Sequence, residues 1–200
     1  MIEKFNDKYH IQSTRLPGYD YSKPGAYYIT LCVYNRECIF GEISVETNDS
    51  SFMILNDYGL IVKQEWQESE KIRKEIKLDI FQIMPNHMHA IVWIKNMNKK
   101  NLNRNDGLNC RDERPFVSTP QKPPPPYIKI QKIPPMRPRS LSSLMAGFKS
   151  SVTVKINKLR NTPGDRVWQH NYHDHIIRNH DELNRIRNNI CNNPKNWNDD

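Results

Sequence analysis

The chain has 200 residues, with 30 Lys and Arg against 22 Asp and Glu, a formal charge of +8 and a pI near 9.3. That length admits one domain with a real core and room for an insertion, but not two full domains, and the basic surplus favours a polyanionic partner, either nucleic acid or an anionic membrane surface. No run approaches the roughly 20 apolar residues of a spanning helix, and the opening M-I-E-K-F-N-D-K-Y-H has no apolar stretch of signal-peptide type, so a cytoplasmic protein without a membrane partner is expected.

Residues 26–34, A-Y-Y-I-T-L-C-V-Y, are rich in aromatic and β-branched side chains and follow the turn signal Lys23-Pro24-Gly25, which predicts a first strand. Asn56 and Asp57 can cap a helix over about 58–74, carrying Ile61, Val62 and Trp66 inward and E-S-E-K-I-R-K-E outward. The alternation L-D-I-F-Q-I within Lys77–Met84 predicts a second strand. A short turn at Met84–Asn86 would then lead into an antiparallel third strand, His87–Ile94.

Residues 97–139 break this pattern. They combine N-K-K-N-L-N-R-N-D-G with Pro115, Pro120, Pro123–Pro126, Pro134, Pro135 and Pro138, a composition that cannot build a packed core and reads as a proline-rich flexible insertion. From Ser140 the helical period returns, with Leu141, Leu144, Met145, Phe148, Val152, Ile156 and Leu159 on one stripe. After Thr162-Pro163-Gly164-Asp165, the run V-W-Q-H-N-Y-H-D-H-I-I-R predicts a fourth strand, and a last helix is expected from near Asp181 to Asn193, stopped by Pro194. Four strands with helices on one face and a C-terminal helix give an α+β, ferredoxin-like sheet in a single domain over 1–200. Cys32, Cys38, Cys110 and Cys191 form no C-x-x-C pair and read as reduced thiols.

Within F-Q-I-M-P-N-H-M-H-A-I-V-W-I-K, the spacing of His87 and His89 puts both imidazoles on one face of a strand and Met88 on the other, toward packed helices. Two imidazoles so placed can grip a divalent cation, while buried or merely exposed histidines are the plainer alternative. His173 and His175 form a rival pair, ranked second because a charged Asp174 between them would face the core, which places them on a more exposed strand.

The M-P-N-H-x-H block resembles that of the single-tyrosine transposases of insertion-sequence type, which carry a His-hydrophobe-His motif, and above all their REP-associated relatives. F-K-S-S-V, D-H-I-I-R-N and N-I-C-N-N-P follow it in that family's order. The similarity spans roughly residues 16–97 and 139–198. It implies that His87 and His89 bind a divalent ion, Mg or Mn, over the scissile phosphate of single-stranded or hairpin DNA. It implies further that a tyrosine on the last helix attacks to leave a 5′-phosphotyrosine, and that the polar residue one helical turn later, Asn193, faces the same metal. A homodimer is also compatible with the resemblance.

At the tyrosine position this chain has Asn189, and a carboxamide can form no phosphotyrosine. Three readings stay open: a protein that still binds metal and DNA without cleaving it, a substitute phenol, for which Tyr172 is the nearest in sequence, or hydrolysis by activated water. Arg15, Lys23, Arg36, Lys149, Lys155, Lys158 and Arg160 are candidate phosphate contacts, and Tyr19, Tyr21 and Trp168 candidate stacking groups; a solvated basic face and core packing are the respective alternatives. A proline-rich scaffold is a third function class.

Overall fold

The computed structural model describes residues 4–5, 8–9, 16, 18–45, 51–96 and 137–199, with the backbone alone at 4–5, 8–9 and 198–199. The chain divides into one unit of residues 1–96 and 137–200 and a second of 97–136. The second unit lies outside the described residues, and with it most of the proline-rich stretch and Cys110.

The main sheet contains β3 (Gly25–Cys32), β6 (Ile76–Met84), β7 (His87–Ile94) and β8 (His173–Ile177) in the order β6-β7-β3-β8, antiparallel throughout. Helices α1 (Asp57–Ile72) and α2 (Leu141–Arg160) follow β3 and β7, and α3 (His180–Asn192) ends the series. This is the split β-α-β arrangement of a ferredoxin-like α+β fold. Two short hairpins join it: β1 (Lys4–Phe5) with β2 (Lys8–Tyr9), and β4 (Gly41–Val45) with β5 (Ser51–Leu55). The sequence reading assigned neither, although G-E-I-S-V and S-F-M-I-L alternate about E-T-N-D-S as hairpin strands do.

Alternation along the strands sorts the two faces. Tyr27, Ile29 and Leu31 of β3 and Met88, Ala90 and Val92 of β7 are fully buried on one of them, against Val62 and Trp66 of α1 and Leu144, Phe148, Val152 and Ile156 of α2. Leu159, expected on the same stripe, falls off it in the last turn and is 54% exposed. The opposite face carries α3, whose Leu183, Ile186 and Ile190 bury Ile91.

Each helix is started by a side chain that satisfies its first amides. The Asn56 carbonyl accepts from Tyr58 and Gly59 at 3.0 Å each, while its amide donates to the Ile39 carbonyl at 2.8 Å, fastening the β4–β5 region to α1. Gly59 is required there, since a Cβ would stand 2.2 Å from the Phe40 carbonyl oxygen. Ser140 and Ser143 form a capping box on α2, and Asn179 caps α3 through the Glu182 amide at 2.8 Å.

Two boundaries differ from the sequence reading. The fourth strand begins only at His173, because Val167–Tyr172 turns away after a single bridge between Val33 and Trp168. Pro194 does not stop the chain's winding but tightens it into a 3₁₀ segment, Asn193–Asp199. Among the described residues no helix is long and apolar enough to cross a membrane.

Candidate functional site

His87 and His89 project from β7 on the face that carries α3, while Met88 is fully buried on the other. Their Nε2 atoms lie 3.0 Å apart and their ring centroids 4.6 Å apart. The far nitrogens are held by neighbours. His87 Nδ1 is 2.7 Å from Asn86 Oδ1, an acceptor, so it carries the proton and leaves a lone pair on Nε2. His89 Nδ1 is bracketed by the Tyr28 hydroxyl at 2.7 Å and the Thr30 hydroxyl at 2.9 Å. In the tautomer that donates from Nδ1 to these oxygens, its Nε2 also presents a lone pair toward His87.

The rings are sandwiched as well as hydrogen-bonded. Tyr28 stacks on His89 at 5.6 Å and 21°, and Trp197, from the C-terminal 3₁₀ segment, stacks on His87 at 6.1 Å and 26°. Burial first, then the charges of His87, Arg36 and His173, depress the His89 pKa to about 3. The imidazole is therefore neutral at ordinary pH, as a ligand must be.

Two neutral imidazole nitrogens converging at 3.0 Å are a donor pair of the kind that suits a divalent cation. Among the described residues no group of three His, Cys, Asp or Glu side chains that could hold a metal ion assembles. Asn193 caps the C-terminal end of α3, and its Oδ1 is buried without a hydrogen-bond partner. An orphaned buried amide oxygen costs about 1–3 kcal/mol unless something binds it.

α3 is fixed to this face by an ionic clamp. Arg187 donates to Asp79 from Nη2 at 2.6 Å and from Nε at 3.1 Å, and Trp93 Nε1 and the Ile80 amide donate to the same carboxylate at 2.8 Å each. Asp79 lies where β6 carries an extra residue, between Leu78 and Phe81. Asn189, on α3 one turn before Asn193, is exposed.

The other sequence candidates are spread over the molecule. Tyr172 packs with the α1–α2 core, on the face opposite the histidines. Lys149 donates to the carbonyls of Gln169 and His170 at 2.6 and 2.9 Å, and burial lowers its pKa. Lys155 pairs with Glu65 of α1, Arg160 lies 3.1 Å from Asn157 Oδ1 and 3.7 Å from Asp165, and Lys158 is exposed. These four are on α2, across the sheet from the histidines. Lys23 sits 5.7 Å over the Tyr19 ring, Tyr19 and Tyr21 pack edge to face at 5.1 Å, and Trp168 is buried between Phe40 and Phe148. Arg36 is exposed, and of the described candidate cations it is the one whose charge reaches His89. Arg15 lies outside the described residues.

The rival pair shares the site's face. Thr30 pairs with both His89 and His173, so His173 and His175 project beside Tyr28 from the edge strand β8. Asp174 is buried after all, because the ladder leaves it no other face. His175 Nε2 is 2.8 Å from Glu182 Oε1 on α3. Tyr28, Thr30, Asp79, Arg187 and Trp197 were not identified from sequence; for Tyr28 and Thr30 the available signal was their own alternation on the first strand.

No family model matches the chain. An uncharacterized protein of Haemophilus influenzae is 34% identical over 201 residues, covering 100% of this chain and 97% of that protein. The structure of a REP-associated tyrosine transposase bound to a REP hairpin superposes with a TM-score of 0.52 at 14% identity, covering 90% of this chain and 72% of that one. The chain thus belongs to one family with the Haemophilus influenzae protein, and that family is built on the fold of a REP-associated tyrosine transposase.

Proposed function

We propose that this is a transposase-like protein that binds single-stranded or hairpin DNA about the His87–His89 pair and lacks the family's cleavage chemistry. The observation that carries the reading is the convergence of the two Nε2 atoms at 3.0 Å on the face that also carries α3 and Asn193. His87 and His89 hold Mg²⁺ or Mn²⁺, Asn193 offers its amide oxygen, and Asn86, Tyr28 and Thr30 fix the ring orientations. The cation, when bound, supplies Lewis acidity toward a phosphodiester oxygen.

Asn189 occupies the nucleophile's place and brings no phenol to deprotonate. Tyr172 is packed on the other side of the sheet, which weighs against its substitution for a tyrosine at 189. A non-catalytic DNA-binding protein is therefore the favoured form of the reading, and water-driven hydrolysis the second. A homodimer in a cytoplasmic setting completes the proposal, with sedimentation of the purified chain to test the dimer.

The deciding experiment is Asn189→Tyr incubated with Mn²⁺ and a labelled single-stranded hairpin. The expected outcome is a covalent 5′-phosphotyrosine adduct with the variant and none with the native chain. A folded variant that binds the hairpin but forms no adduct overturns the assignment of residue 189. Mn²⁺-dependent cleavage by the native chain without an adduct, lost in His87→Ala, selects hydrolysis instead.

A further inference from the structure

A groove of about 360 Å³ is walled by the β4–β5 hairpin (Ile43, Val45, Ser51), by Pro85 and by Pro194 and Trp197 of the C-terminal segment. Its volume lies within the range of small-molecule sites. Trp197 belongs to both places, since one and the same indole lines the groove and stacks on His87. The charged residues at the groove are Glu42 and Lys195, one of each sign, so it has no surplus to hold a phosphate. What it offers is a π face, apolar walls and a few polar groups at its edges, the requirements of a planar heterocycle.

We infer that this groove receives an unstacked nucleobase from the strand whose phosphate lies at the histidine pair, with Trp197 as its stacking platform. The inference rests on the reading of that pair as a DNA site. It commits to a base because the groove shares Trp197 with His87 and its charges cancel. Stacking on an indole is tolerant of base identity, so the subsite adds affinity and register rather than sequence choice.

The test uses the full chain, Mn²⁺ and a random-sequence single-stranded pool containing 5-iododeoxycytidine. Binding, compared at saturating Mn²⁺ so that the loss of the indole stacked on His87 does not enter through metal affinity, is expected to weaken about tenfold in Trp197→Ala and to be largely restored in Trp197→Phe, at the level that loss of one base–aromatic stack produces. Photocrosslinking of the wild-type protein, which depends on no variant folding, is expected to place an adduct on Trp197. Adducts only elsewhere, or Trp197→Ala binding as tightly as wild type, overturn the base subsite. A wild-type chain whose binding to the pool is not stimulated by Mn²⁺ overturns the reading of the histidine pair itself, and the subsite with it.

Discussion

Tyr28 and Thr30 determine which nitrogen of His89 faces the cation position. Both hydroxyls stand at Nδ1, at 2.7 and 2.9 Å, so removing one loosens the ring that points Nε2 at His87. Tyr28→Phe is expected to lower Mn²⁺ affinity about tenfold, the usual cost of losing a ligand's hydrogen-bond partner, with the melting temperature nearly unchanged. Calorimetric titration of Mn²⁺ measures it, and an unchanged affinity would show that Thr30 alone orients the ring. The histidines were legible from their spacing, since period two puts residues i and i+2 on one face whatever the fold. Tyr28 and Thr30 were not, because their approach depends on the Thr30–His89 register between strands whose pairing residues lie 59 positions apart. Trp197 was hidden for another reason, since Pro194 reads as a helix stop and the stop conceals that the chain folds back over His87.

At the scale of elements, the placement of Asn193 depends on how firmly α3 is held. Its apolar contribution is small, the three buried residues Leu183, Ile186 and Ile190, so the Asp79–Arg187 clamp carries a large share. Arg187→Ala is expected to cost about 1.5 kcal/mol, the lower end for hydrogen bonds to a charged group because the pair is partly exposed. Hydrogen exchange should quicken across 180–192 more than in α1 or α2. Burial alone would raise the Asp79 carboxyl, but the bonds from Arg187, Trp93 and the Ile80 amide outweigh it and leave its pKa at about 2, below the ordinary 3.8. A carboxylate depressed on folding stabilises fully above its unfolded pKa and ceases to do so as pH falls through the folded one. Protection of α3 should therefore persist down to pH 3.8 and be lost toward about 2, a loss that Asp79→Asn would abolish. Long periodic elements such as α2 and β7 were readable from sequence. The β4–β5 hairpin was not, because its strands are half-exposed on both faces and carry a weak pattern.

For the molecule as a whole, a charge of +8 predicted a polyanionic partner but not where it sits. The structure separates charges already engaged from those that are not. Lys149, Lys155 and Arg160 are bound within the chain, on the far side of the sheet from the histidines. If eight charges each neutralised a phosphate, the logarithm of affinity for a single strand would fall with the logarithm of salt with a slope of about −6. A slope of about −2 to −3 is expected, consistent with a few exposed cations such as Arg36, Lys195 and Lys23. A measured slope near −6 would mean that α2 contributes its lysines after all. The ferredoxin-like topology followed from the order of elements, whereas that order leaves open the side of the sheet taken by α3, because one helix can pack on either face.

The extra residue in β6 has a consequence for how this chain is compared with others. Across from the single residue Ile91, the strand spends two, Asp79 and Ile80, and both serve α3, one through the Arg187 carboxylate bond and one through apolar contact. A relative one residue shorter here would keep an unbroken ladder and the same two faces before and after the gap, yet could offer α3 only a charge or a hydrocarbon. Such a gap in an alignment would look harmless in a strand, and it would mark the loss of one of the two attachments that hold α3 on the face of the histidines.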